Sequence, residues 1–88
     1  MKEIQFSPDF TKKIKQIQSK NKKLYTKIKK QLSLFQTDPQ HPSLQIHKLS
    51  GKLKNTWSIF IDINHRMICE VNNTYYFFYL GTHDEVYK

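Results

Sequence analysis

The chain reads as an α+β protein: an N-terminal strand, a hairpin of two helices, then an antiparallel meander of three strands, in the order βααβββ. Three observations predict this. Apolar residues recur at helical spacing between Phe10 and Phe35, apolar and polar residues alternate with period two from Thr56 onward, and the segment Thr37-Asp38-Pro39-Gln40-His41-Pro42, with two prolines and no apolar residue, separates the two regimes. Helices first and hairpin-linked strands afterwards predict an antiparallel sheet with both helices on one face.

The elements follow in order. Lys2 to Phe6 alternates and reads as a short first strand. Ser7-Pro8 supplies an N-cap and a proline at the first helical position, so a helix starts near Pro8 with Phe10, Ile14 and Ile17 on its inner stripe. Asn21 can end that helix or cap the next, in which Leu24, Ile28, Leu32 and Phe35 continue the stripe to about Gln36. Leu44 to Leu49 is a short strand or an extended lead-in, and Gly51 to Asn55 is turn-like. From Thr56, the residues Trp57, Ile59, Ile61 and Ile63 face one side and Ser58, Phe60 and Asp62 the other. A second strand covers Arg66 to Val71, and Asn72-Asn73, which tolerates left-handed dihedrals, closes a hairpin onto a third strand from Tyr75 to Leu80. Residues 1–88 form one domain, with no repeat or linker.

Eighty-eight residues bury only about 60–65% of the surface exposed by the unfolded chain, which disfavours a large internal cavity. No apolar run is long enough to span a membrane, and Met1 to Phe10 lacks the features of a secretory signal, so the expectation is a cytoplasmic protein. Cys69 has no disulfide partner and reads as a reduced, buried thiol.

Net charge is +8, unevenly placed. Residues 1–54 carry thirteen Lys against Glu3, Asp9 and Asp38, whereas residues 55–88 carry Arg66 and Lys88 against Asp62, Glu70, Asp84 and Glu85. A basic face of this kind binds RNA, DNA, an anionic membrane or an acidic partner segment by the same Coulombic and counterion-release physics, and it also serves solubility alone.

The motif inventory excludes several classes. There is no glycine-rich phosphate loop, no paired Cys and no His/carboxylate cluster at metal-ligand spacing, which disfavours a nucleotide hydrolase or a metal enzyme; no cofactor is implied. What remains is His47, Lys52, Lys54, His65, Arg66 and His83 at strand ends and in loops, with Tyr87 near the end. Metal-free RNA cleavage needs an acceptor for the ribose 2′-hydroxyl proton, a donor to the leaving 5′-oxygen, and fixed cations around the phosphorus. Histidine fills either proton role and arginine forks onto phosphate oxygens, so the inventory suffices for that reaction. Each residue also has a plainer reading: His41 as a surface histidine, His65 as a strand cap, Arg66 as a cross-hairpin partner of Asp62 or Glu70, and Trp57 as core. In the run Tyr75 to Tyr79 the inner rings are core, and the outer ones are placed to stack on bases.

Four strings in order give a family resemblance: Leu49-Ser50-Gly51, Trp57-Ser58, His65-Arg66-Met67-Ile68-Cys69-Glu70-Val71, and Leu80-Gly81-Thr82-His83-Asp84-Glu85-Val86-Tyr87. Together they resemble the RelE/YoeB/YafQ group of bacterial type II toxins. The closing Gly-Thr-His segment is most similar to YafQ-type members, and Trp-Ser followed by His-Arg to YoeB. The resemblance implies a RelE/ParE-like, microbial-RNase-like fold and a metal-free endoribonuclease, an mRNA interferase that cuts messenger RNA in the ribosomal A site and inhibits translation, held inactive by a cognate antitoxin. By position it implies His83 as the C-terminal catalytic histidine, Arg66 as the arginine on the scissile phosphate, His47 as the histidine before the Leu-Ser-Gly turn, and Tyr87 as the terminal aromatic of the site. Lys52 and Lys54 fall where basic residues meet RNA, with His65 beside them in that role, and Asp62 is the candidate acidic residue. The stretch between Gly51 and Trp57 is longer than in YoeB-like members, and the YoeB acidic base has no counterpart near Pro42 to Gln45, so the general base is unassigned. The same fold includes ParE-type toxins that poison DNA gyrase without cutting RNA. A gyrase inhibitor and a basic nucleic-acid-binding module therefore stand as alternatives.

Overall fold

A computed structural model describes residues 3–49 and 55–86, with the Val86 side chain outside that set. The elements are β1 (Glu3–Phe6), α1 (Pro8–Lys20), α2 (Lys22–Thr37), a 3-10 turn (Pro42–Leu44), β2 (His47–Lys48), β3 (Thr56–Asp62), β4 (His65–Val71), β5 (Thr74–Thr82) and a short α3 (His83–Val86). The predicted α+β class and element order are present, and the expected Gly51-to-Lys54 turn lies outside the described residues.

The helical hairpin is set by its caps. The Ser7 hydroxyl accepts from the Phe10 N–H at 3.0 Å, and Pro8 opens α1 where an amide donor has no intrahelical partner anyway. Asn21 takes both roles foreseen for it. Its N–H donates to the Ile17 carbonyl at 2.7 Å, closing α1, and its Oδ1 accepts from the Leu24 N–H at 3.1 Å, opening α2.

The five strands lie in the order β1-β5-β4-β3-β2. The three-strand meander is antiparallel as expected, but β1 pairs with β5 in parallel, Glu3 opposite Thr74 through Phe6 opposite Phe77, so the sheet is mixed. The cause is topological. The meander leaves β5 with an unpaired edge, and the helical layer is the crossover that lets β1 pair there in parallel.

Phe10, Leu24, Ile28, Phe35, Leu44, Ile59, Ile61, Met67, Cys69, Phe77 and Leu80 form one core between the helices and one face of the sheet. Ile14, Ile17, Leu32 and Trp57 pack around it, half-buried. Gln31 is buried within the α2 stripe, and its Nε2 donates to the Phe60 carbonyl at 2.8 Å and the Ser43 carbonyl at 3.2 Å. The amide thus ties α2 to β3 and to the 3-10 turn.

Three local expectations are corrected. Asn72 and Asn73 do not take positive φ; among described non-glycine residues only Gln45 and Asn55 do, at 43° and 58°. The turn is closed by the backbone, the Asn72 N–H donating to the Thr74 carbonyl at 3.1 Å, and the Asn72 side chain is braced, its Nδ2 donating to Glu70 at 2.8 Å and its Oδ1 accepting from Asn55 Nδ2 at 3.1 Å. Ile63 does not extend the inner stripe of β3, because the strand ends at Asp62 and leaves Ile63 80% exposed. Asp62 also leaves the face it was expected to share with Ser58 and Phe60. Phe60 is opposite Arg66 but Asp62 is opposite His65, two steps on β3 against one on β4, and the bulge turns Asp62 to the helix side.

Candidate functional site

The β4–β5 ladder builds the site. Arg66 lies directly opposite Gly81, His65 opposite Thr82, and the His83 N–H donates to the Asn64 carbonyl at 2.8 Å, so the start of α3 is anchored to the β3–β4 turn. Met67 and Cys69 are core, so alternation puts Arg66, Ile68 and Glu70 on the face away from the helices. Arg66 and His83, which follows the last residue of β5, therefore lie at the same corner of the sheet, His83 two residues beyond the Gly81 that Arg66 faces in register.

Arg66 is held rigidly. Its Nη1 donates to the carbonyls of Asp62 and of His65, the latter at 2.9 Å, and its guanidinium carbon sits 4.7 Å from the Phe60 ring centroid. The carbonyls orient the fork without neutralising it. Neither Asp62 nor Glu70 forms an ion pair with Arg66, and among the described residues no other carboxylate does either. A fixed cation without a counter-charge is suited to a phosphate.

Asp62 belongs to a second cluster on the helix side. Its Oδ1 accepts from His65 Nδ1 at 2.9 Å and from the Asn64 N–H at 2.9 Å, and its Oδ2 lies 3.4 Å from Lys27 Nζ of α2. Partial burial pushes the carboxyl up, but the hydrogen bonds from His65, Asn64 and Lys27 and the charge of His65 outweigh it, and the acid is held below its ordinary range. Asp62 and His65 are thus brought together with Lys27, while alternation sends the Arg66 side chain to the opposite face.

His83 is half-exposed, with Nδ1 3.7 Å from Asp84 Oδ1. The turn bearing it is a reciprocal capping box: Glu85 Oε1 accepts from the Thr82 N–H at 3.1 Å and hydroxyl at 2.8 Å, and the Glu85 N–H donates to Thr82 Oγ1 at 3.3 Å. The Tyr79 hydroxyl adds a bond to Glu85 Oε2 at 3.0 Å. The Thr82 amide and hydroxyl, with Tyr79, hold the Glu85 carboxyl down to about 2. Sequence reading passed over this pair, although Thr82-x-x-Glu85 is a legible capping signal.

His47 is exposed on β2, opposite Ser58, its Nδ1 at 3.3 Å from the Gln45 carbonyl. Successive pairing links His47, Ser58, Ile68 and Tyr79 across the sheet, parallel to the row Phe60, Arg66 and Gly81. His47 is therefore one row along and two strands across from Arg66. Lys52, Lys54 and Tyr87 lie outside the described residues. His41 caps the 3-10 turn, its Nδ1 accepting from the Ser43 N–H at 3.1 Å, and burial pushes the Cys69 thiol up to about 12.

Among the described residues no three His, Cys, Asp or Glu side chains gather as ligands of a metal ion, and no helix is long and apolar enough to cross a membrane.

A small mixed sheet with a helical hairpin on one face is also the fold of solved toxin structures. The chain superimposes on YafQ from Escherichia coli with a TM-score of 0.78, at 20% identity over 100% of both chains. It is similar to the heterotetrameric YoeB-YefM toxin-antitoxin complex from Staphylococcus aureus, with a TM-score of 0.76 and 25% identity over 94% of this chain and 98% of that one. A YoeB/ParE toxin from Agrobacterium tumefaciens matches with a TM-score of 0.78 and 15% identity, over 92% of this chain and 98% of its own. The resemblance carried by the four sequence strings is thus met in three dimensions. No family model matches the sequence, and no curated protein does.

Proposed function

We propose that this protein is the toxin of a type II toxin-antitoxin system and acts as a ribosome-dependent endoribonuclease on messenger RNA. The observation that carries the reading is the corner at which Arg66, held by two backbone carbonyls and without a carboxylate partner among the described residues, lies opposite Gly81, with His83 two residues further along the chain. The folds of YafQ and YoeB, solved with antitoxins, support the toxin role and an antitoxin partner.

In this reading the Arg66 fork holds the scissile phosphate and stabilises charge on its oxygens. The ribose 2′-oxygen bonds to phosphorus as its proton leaves to a base, the bond to the 5′-oxygen breaks, and His83 gives that oxygen a proton. His47, on the same face as Arg66, is the candidate for the base, and the family resemblance gives Tyr87 a part in the site. The nine lysines of α1 and α2, all exposed and opposed on those helices by Asp9 alone, contact ribosomal RNA phosphates and orient the protein without reading sequence.

The test is a purified reconstitution. With ribosomes programmed by a defined message, wild-type protein is expected to produce cuts within codons in the A site. Inhibition of gyrase supercoiling without such cuts would replace this reading by the gyrase-inhibitor one.

A further inference from the structure

We infer that Glu85 is a positioning residue for His83: its carboxylate gathers Thr82 and Tyr79 into a latch that fixes the turn carrying the imidazole, and Gly81 is the space that lets the latch close. This rests on the reading of His83 as the proton-transferring group.

Three donors from two residues of β5 converge on one exposed carboxylate. Thr82, the residue before His83, gives Glu85 both its amide and its hydroxyl, and Tyr79 gives its phenol from three residues earlier on β5. A four-residue helix has little intrinsic persistence, since nucleation costs more than a single turn returns. A capping box closed at both ends, with a third tie to the strand, supplies that persistence at the residue next to His83.

The glycine has a steric explanation. A Cβ built on Gly81 would lie 2.7 Å from Tyr79 Cε2 and 3.0 Å from its hydroxyl oxygen, so the ring occupies the place of a side chain at position 81. From there the phenol reaches Glu85. In the sequence Gly81-Thr82-His83, the glycine admits the Tyr79 ring, the threonine caps, and the histidine begins the turn. None of the tying groups need touch substrate.

The experiment compares wild type with Glu85→Ala, Glu85→Gln, Tyr79→Phe and Gly81→Ala, separating kcat from KM for programmed ribosomes. It also records heteronuclear NOE values for the His83 amide. Because misplacing a catalytic group by about 1 Å costs ~100-fold, Glu85→Ala is expected to lower kcat by roughly 10- to 100-fold with KM changed less than about threefold. Glutamine serves in a capping box, so Glu85→Gln is expected to recover kcat to within about fivefold of wild type. Gly81→Ala and Tyr79→Phe should match each other with a smaller loss. Wild-type kcat in Glu85→Ala would overturn the proposal, and a Glu85→Gln protein as impaired as Glu85→Ala would show the charge acting directly instead of positioning. The amide measurement needs no activity. An NOE at His83 that falls in Glu85→Ala supports the latch even if wild type cuts no RNA, and an unchanged NOE refutes it.

Discussion

Asp62 accepts a hydrogen bond from His65 at 2.9 Å on the helix side of the sheet, while Arg66, the very next residue, faces away from the helices. The β-bulge before Asp62 separates an acid–histidine–lysine cluster from the candidate phosphate site, although all of these residues fall within five positions of the β3–β4 turn or on α2. Asp62→Asn is therefore expected to affect stability and to change cleavage by less than about threefold. The carboxyl is depressed in the folded chain, so its contribution is present above the ordinary carboxylate range and lost as pH falls through the depressed value. Melting temperatures of wild type and Asp62→Asn should differ at pH 6 to 7 and converge in acid. A folded Asp62→Asn protein without cleavage would instead make Asp62 the base.

Removing the buried amide at Gln31 should leave the Phe60 and Ser43 carbonyls short of a donor. Gln31→Ala is expected to cost about 1–3 kcal/mol, measured by urea denaturation with an unchanged m-value.

Asn21 caps two helices with one residue, closing α1 through its backbone and opening α2 through its side chain. Asn21→Ala should cost about 1 kcal/mol, and Asn21→Gly only a few tenths, since glycine is tolerated at this position. Thermal melts of the pair distinguish cap loss from helix propensity.

The lysines of the helices should govern ribosome affinity and not chemistry. Changing Lys12, Lys15, Lys23 and Lys30 together to Glu is expected to weaken ribosome binding, and the affinity left should respond less steeply to salt, because fewer counterions are released on binding. Binding measured across salt concentrations tests this, with circular dichroism to confirm the fold.

Much of the fold was legible because periodicity and caps are local signals. Ser7-Pro8, Asn21 and the alternation from Thr56 report on neighbours a few residues away, and the elements they predict are present. The pairing of β1 with β5 was not legible, since Glu3 and Thr74 meet only after the whole chain has folded between them. The bulge at Asp62 was hidden because alternation alone cannot reveal an inserted residue, and it moved the one candidate carboxylate off the Arg66 face. For the site, the resemblance supplied His83 and Arg66, and the register supplied their shared corner. The Glu85 latch was written in the sequence as a capping box but has meaning only once Tyr79 is seen lying over Gly81.

Arg66 is expected to be irreplaceable by lysine, because a single ammonium cannot keep its bonds to the Asp62 and His65 carbonyls and also fork onto a phosphate. Arg66→Lys and Arg66→Ala should both lose about 100-fold or more in kcat while remaining folded. Single-turnover cleavage on programmed ribosomes measures this.

The most direct measurement is induction of wild type and His83→Ala in growing cells, with RNA ends mapped in each. Wild type should arrest growth and cut messages within translated codons, and His83→Ala, expressed to the same level and folded, should do neither. Full toxicity with unchanged cleavage in His83→Ala would contradict the role given to His83 and, with it, the reading of the corner it shares with Arg66.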